Sequence, residues 1–150
     1  MFKYKATKFI ILLSILIILP FFFKFWHGED LKSKKLLSNN ITFTGVITDL
    51  KISRNHAFGV ITLKVVKANT KMFLPTIEKD IYPYAIKDSV AEIYHYISPE
   101  LKKGMSVELD SDKKNINFFD KNTFIYNSDI AIISSDIDIK FVQKNSLILR

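Results

Sequence analysis

A long uncharged apolar run near the N-terminus stands out in the hydrophobic pattern of this chain. It extends for fifteen residues from Phe9 to Phe23. Continued to Trp26 it becomes eighteen residues long, within the roughly 17–25 that a membrane-spanning helix needs. Lys24 interrupts only the end of the run, where its long side chain can reach the lipid headgroups. The pattern therefore predicts a transmembrane helix that contacts the bilayer over residues 9–26, anchored by Phe9, Phe23 and Trp26.

A cleaved signal peptide is the alternative to a retained anchor. Lys3, Lys5 and Lys8 would form its basic start, but cleavage needs small side chains, and residues 21–27 are mostly bulky. Lysines also follow the run, so the charge difference across it is small. A short basic N-terminus nevertheless usually stays in the cytoplasm. We therefore expect residues 1–26 to form a cytoplasmic tail and a single uncleaved signal anchor in a bacterial inner membrane, with the rest of the chain in the periplasm.

The pattern changes from an unbroken run to β-type alternation after a polar stretch, residues 27–40, which predicts a juxtamembrane linker. Two segments dense in β-branched residues, Ile41–Ile52 and Phe58–Lys67, predict a long hairpin. Apolar positions change parity within the first segment at Gly45, which predicts a β-bulge there. The turn between the segments is expected to place Asn55 in a left-handed conformation.

Short apolar segments continue to the end of the chain and predict further strands. These segments are Ala91–Ile97, Met105–Asp110, Ile116–Phe119, Ile130–Ile133, Asp136–Val142 and Leu147–Leu149. Asp136–Val142 alternates most regularly and is expected to turn Ile137, Ile139 and Phe141 inward. Residues 68–89 are predicted to be irregular. Strands of this kind predict a mainly β fold in which residues 41–150 form one small antiparallel β-barrel (OB-like) or sandwich.

Charge at first favours a nucleic-acid partner, because the formal net charge is +7. Four of the lysines flank the apolar run, however, and from His27 onward 18 basic residues face 15 acidic ones, an excess of three. Only Arg54 and Arg150 are arginines, the residue type that grips phosphates and bases bidentately. The charge distribution therefore disfavours nucleic acid. The absence of cysteine excludes disulfides, thiol catalysis and cysteine metal sites.

The residues that could carry out chemistry are few and scattered. They are His56, His95, the pairs Asp110/Asp112 and Asp136/Asp138, and the S-x-x-K segment Ser111–Lys114. Zinc and calcium sites need more ligands at closer spacing, and S-x-x-K acts only with companion motifs that this chain lacks. We therefore expect no catalytic residues, no metal and no cofactor, although an unrecognised enzyme stays open as an alternative.

Tyrosines are the sharpest candidates for a binding surface. Tyr82, Tyr84, Tyr94 and Tyr96 could present aromatic rings on the surface of a small barrel, as domains that stack single-stranded nucleic acid do. The same side chains could instead pack in the core or at its rim. We expect a protein- or peptide-binding or scaffolding module that holds a partner near the membrane. The alternative is an OB-like domain that binds nucleic acid or oligosaccharide.

Three segments carry a resemblance to known sequences: Thr44–Lys64, Ala91–Tyr94 and Lys102–Val107. They resemble a group of short, uncharacterised membrane-anchored proteins from Bacteroidetes-type bacteria with a small β-domain. The resemblance implies a shared lineage and a β-domain, and it implies no activity. The order of the predicted strands is also similar to that of oligonucleotide/oligosaccharide-binding barrels, a likeness of fold that does not specify function.

Overall fold

The computed structural model of the protein describes residues 33–77 and 79–149. The chain divides into two units, Met1–Lys35 and Leu36–Arg150, and the second contains the β-domain. The predicted anchor, residues 9–26, lies outside the described residues. Among the residues that are described, no helix has the length and apolarity to cross a membrane.

The described part of the chain begins with one helical turn, residues 33–37, and then contains ten strands followed by a ten-residue helix. The strands are β1 (Thr42–Ile52), β2 (Phe58–Ala68), β3 (Met72–Phe73), β4 (Thr76–Ile77), β5 (Asp80–Ile81), β6 (Tyr84–Lys87), β7 (Val90–Tyr96), β8 (Ser106–Asp110), β9 (Asn115–Asp120) and β10 (Thr123–Asp129), and the helix is α1 (Asp136–Asn145). Residues 68–89, predicted to be irregular, thus contain four short strands. The mainly β prediction is confirmed.

Eight of the strands form one antiparallel sheet in the order β10-β9-β8-β1-β2-β7-β6-β3, and β4 pairs separately with β5. The sheet is not a closed barrel, which corrects the barrel prediction. Closure needs a hydrogen-bonded ladder between the two edge strands, and here the edges are β10 and the two-residue β3. The sheet nevertheless curls strongly: His95 on β7 lies 2.8 Å from Ser128 on β10, although five steps of the strand order separate these strands.

Both faces of the sheet contribute to the core. The inner face of the curl carries a large apolar cluster that includes Phe43, Ile61 and Phe118. Val60 and Tyr94 lie on the opposite, outer face, in a second cluster that includes residues of α1. Strands β2 and β7 are therefore buried on both sides over much of their length.

The β1–β2 ladder is irregular at the predicted position, Gly45, but the extra residue there is Val66 of β2, and the parity change within β1 comes later, at Thr48. The β1–β2 register shifts between Thr44 and Gly45, and a Cβ atom at Gly45 would lie 2.9 Å from the carbonyl oxygen of Lys64. The predicted turn conformation is wrong, because His56 and Ala57, and not Asn55, have positive φ, at 47° and 53°. Asn55 instead donates its side-chain amide to Asp138 on α1, at 2.8 Å.

The segment Asp136–Val142, predicted as the most regular strand, is the first part of helix α1. Ser135 caps the helix: its Oγ accepts the Asp138 N–H at 3.4 Å, and aspartates in the first turn suit the positive end of the helix dipole. Ile139 and Val142, which are three residues apart, are buried, whereas Ile137 is 65% exposed. Spacing of three is helical, so the alternation of isoleucines with charges was misleading.

Two other predicted strands are also absent. Ile130–Ile133 makes only an isolated bridge, between Ile133 and Ile81, and Leu147–Leu149 is not extended in a sheet. Conversely, β10 was not predicted. Its register shift between Phe124 and Tyr126 breaks the alternation by which a strand is read from sequence.

Candidate functional site

The four tyrosines predicted as a binding surface do not form one. Tyr84 and Tyr94 are buried, Tyr82 is partly buried, and only Tyr96 is half exposed. The hydroxyl of Tyr84 donates to Asn39 Oδ1 at 2.8 Å, and burial raises its pKa to about 12. The physical reason is that the sheet is covered on both faces here, so inward and outward tyrosines alike enter a core.

The residues considered for metal or acid–base chemistry stay apart. His56 is exposed in the β1–β2 turn, while His95 lies on β7 with a pKa lowered by burial. Asp110 accepts the N–H groups of Asp112 and Lys113, both at 3.1 Å, as turn aspartates often do. Within residues 33–77 and 79–149, no three His, Cys, Asp or Glu side chains are grouped as metal ligands would be.

A buried carboxylate that sequence reasoning did not single out is Glu92 on β7, which has no exposed surface. It accepts hydrogen bonds from the Tyr94 hydroxyl at 3.0 Å, from the Leu147 N–H at 2.7 Å and from the Ser146 hydroxyl. Burial and the neighbouring Glu92 raise the pKa of Tyr94 far above its usual value. Because the cluster is closed to solvent, its role is structural: it ties the chain that follows α1 to the sheet.

An open site lies on the outer face of the sheet, where α1 does not reach. In the strand register, Thr44 on β1 lies opposite both Lys67 on β2 and Glu108 on β8, and Glu108 lies opposite Asn117 on β9. Directly opposed residues of antiparallel strands point to the same side. The four side chains therefore form one row that crosses four strands.

A second row runs beside the first one and completes a depression with a volume of about 340 Å³. Here Thr42 lies opposite Asp110, which lies opposite Asn115. Asn69 borders the row and accepts the Thr42 N–H with its Oδ1 at 3.0 Å. We call the depression formed by these two rows the outer-face groove.

The charges of the outer-face groove balance. Its lining contains two lysines and two acidic residues. Asp110 and Lys113 form an ion pair at 3.0 Å, which lowers the pKa of Asp110 although partial burial opposes the shift. Lys67 and Glu108 lie on strands to either side of β1, about 10 Å apart by strand spacing, so the groove has one basic and one acidic wall.

An apolar patch adjoins the outer-face groove and consists of Val46, Val66, Phe119 and Phe124. Val66 is 73% exposed and Phe124 is 54% exposed. The rings of Phe119 and Phe124 meet edge to face, with centroids 5.8 Å apart. A depression of about 320 Å³ includes the first three of these residues and is bordered by Ser106 and Asn122. The patch and the groove share Thr44 and Glu108 as their boundary.

Comparisons with protein-family models, with curated proteins and with solved structures gave no match. The resemblance noted from the sequence therefore stays a prediction.

None of the groove residues was predicted as a site. Their signal in the sequence is the alternation of polar side chains in β1 and β8, which is equally typical of a solvated strand face.

Proposed function

We propose that residues 36–149 form a non-enzymatic binding module that captures a protein or peptide partner through the apolar patch. The observation that carries the proposal is the exposure of Val66 and Phe124 on the part of the outer face that α1 leaves open, next to a groove lined mainly by polar side chains. Contiguous apolar side chains rimmed by polar ones mark interaction sites on soluble surfaces. The partner that suits this surface is an extended segment with an aromatic or branched side chain.

The polar rim would add specificity to this contact. Ser106 and Asn122 border the apolar depression and can exchange hydrogen bonds with the backbone of a bound segment. An aromatic anchor surrounded by hydrogen-bonding groups is the usual composition of an energetic hot spot. Phe124, on edge strand β10, is the residue that we expect to contribute most.

The module is proposed to act at a membrane. In this proposal residues 9–26 are a retained signal anchor and their partner is the lipid bilayer, while the β-domain lies in the periplasm and holds its second partner near the membrane. The alternative of nucleic-acid binding finds less support, because the charges of the groove cancel and two of the four candidate stacking tyrosines are buried.

Photo-crosslinking of the full-length protein in its own cells tests the proposal. A benzophenone amino acid at Val66 should give a discrete adduct with one partner, and the same probe at Ile137, which is 65% exposed on α1, should not. Phe124→Ala should weaken the adduct about 30-fold, as expected for truncation of an aromatic hot spot. Equal adducts at both probe positions, or an adduct unaffected by Phe124→Ala, would contradict the proposal.

A further inference from the structure

We infer that the outer-face groove is a binding site for a neutral, extended oligosaccharide. This inference goes beyond the proposed function because it assigns a second ligand to residues outside the apolar patch. It rests on three properties of the groove: the hydrogen-bonding capacity of its side chains, its balanced charge, and its position on the central strands of the sheet.

The side chains of the groove can both donate and accept hydrogen bonds. Thr44 offers a hydroxyl, Glu108 a carboxylate and Asn117 an amide, all in one row. Among the described residues, none of these three side chains is engaged in a hydrogen bond or ion pair. Sugar hydroxyls are likewise donors and acceptors at once, so a glycan can pair with every group in the row.

The charge balance selects against ionic ligands. A polyanion gains its affinity from an excess of lysine and arginine, and the groove has two lysines against two acidic residues. One of the lysines and one of the acidic residues are already paired, since Lys113 binds Asp110 at 3.0 Å. Lys67 and Glu108 remain as a single donor and a single acceptor on opposite walls, which suits an uncharged polar chain.

The position of the groove disfavours a peptide. Peptides that bind sheets either pair with an edge strand through their backbone or insert side chains into apolar pockets. Strands β1 and β8 are interior strands whose backbones are paired on both sides. The row of side chains crosses four strands, a span of about 14 Å. A chain lying along such a row must be extended and must bind through side-chain hydrogen bonds.

Calorimetric titration of the full-length protein with three hexasaccharides tests the inference. Cellohexaose is neutral and extended, maltohexaose is neutral and curled, and hexagalacturonate is acidic. We expect cellohexaose to bind at least tenfold more tightly than either of the others. Binding of none of the three, or tighter binding of the acidic chain, would overturn the inference.

Variants assign the binding to the groove. Glu108→Gln and Thr44→Val preserve side-chain size. The first replaces an acceptor oxygen with an amide donor and the second removes a hydroxyl, so each should weaken cellohexaose binding about tenfold. Glu100→Gln, at an exposed residue of the turn before β8, is the matched control and should not change affinity. Circular dichroism checks that each variant folds. Unchanged binding in both groove variants would overturn the inference.

Phe124→Ala separates this inference from the proposed function. The substitution should weaken the crosslinked protein adduct and leave cellohexaose affinity within about twofold of the parent, because Phe124 does not line the groove. A protein adduct without sugar binding would refute the oligosaccharide site alone. Loss of sugar binding in Phe124→Ala would show that the two sites are not separate, and would overturn the assignment to the groove.

Discussion

Glu92 is a fully buried carboxylate that accepts three hydrogen bonds. A buried charge costs folding free energy unless hydrogen bonds replace the water it has lost. Two hydroxyl groups and a backbone N–H supply those bonds, and two of the three donors, Ser146 and Leu147, follow α1 in the chain. Ser146 in turn accepts the N–H groups of Ile148 and Leu149, so one carboxylate organises the whole C-terminal segment.

Glu92→Ala should therefore lower the free energy of unfolding by about 3 kcal/mol, because it leaves two buried hydroxyls and the partly buried Leu147 N–H without their acceptor. Urea denaturation of the full-length protein, followed by circular dichroism, measures the change. Glu108→Ala is the matched control, since Glu108 is exposed and should change stability by less than about 0.5 kcal/mol. Equal urea concentrations at the unfolding midpoint of the two variants would show that the buried cluster does not stabilise the fold.

His95 should make stability depend on pH. Burial lowers its pKa in the folded state, whereas in the unfolded chain the pKa is about 6.5. Below that value the unfolded chain binds a proton that the folded protein resists, so the free energy of unfolding should fall as the pH drops from 6.5 toward the lower folded pKa. Above 6.5 this contribution is constant.

Urea titrations from about pH 7.5 to pH 5.5 measure this slope. The Tyr96 N–H donates to Nδ1 of His95 at 2.6 Å, so the neutral ring carries its proton on Nε2, 2.8 Å from Ser128 Oγ. Gln cannot titrate, and His95→Gln should remove most of the slope. The exposed His56→Gln should leave the slope unchanged. If the free energy of unfolding of His95→Gln still falls with pH, the pH dependence comes from another titratable group.

At the scale of the element, α1 shows how a local capping signal can outweigh an alternating pattern. The sequence from 136 to 142 alternates isoleucine and phenylalanine with charge, and alternation predicts a strand. Ser135 and the acidic residues after it are, however, a helix-start signal. The structure follows the cap, because this segment packs on the sheet through residues spaced by three.

Two alanine variants distinguish the helix from the predicted strand. Ile139 is buried against the outer face, so Ile139→Ala should reduce the free energy of unfolding by about 2–3 kcal/mol. Ile137 is exposed on the helix, and Ile137→Ala should cost less than about 0.5 kcal/mol. A strand would place both side chains on one face, so similar losses in chemical denaturation would support the strand and contradict the helix.

How far the sequence predicts each element depends on whether its determinants are local. The β1–β2 hairpin was predicted correctly because its signal, the density of β-branched residues, lies within two short neighbouring segments, whereas the parity change assigned to Gly45 belongs to the extra residue Thr48. Strand β10 was missed because of its bulge. The outer-face groove could not be predicted, because it depends on the pairing of Thr44 with Lys67 and Glu108, residues that are far away in the sequence.

At the scale of the whole molecule, α1 covers only part of the outer face of the curled sheet. It packs over β2 and leaves open the portion formed by β1, β8 and β9. The open portion carries both the outer-face groove and the apolar patch, which meet at Thr44 and Glu108. The two proposed ligands would therefore bind side by side, so a partner protein could present or sense the glycan without any change in the fold.

The location of this open face in the cell decides which ligands can reach it. Three lysines precede the predicted anchor and several follow it, so orientation rests on the usual retention of short basic N-termini in the cytoplasm. Alkaline phosphatase folds to its active form only after export, and its fusion after Arg150 should be active, whereas a fusion before Met1 should be inactive. Replacing Lys3, Lys5 and Lys8 with glutamine should reduce the activity of the C-terminal fusion. Activity only in the N-terminal fusion would place the β-domain in the cytoplasm, away from periplasmic glycans, and would contradict the proposed periplasmic function.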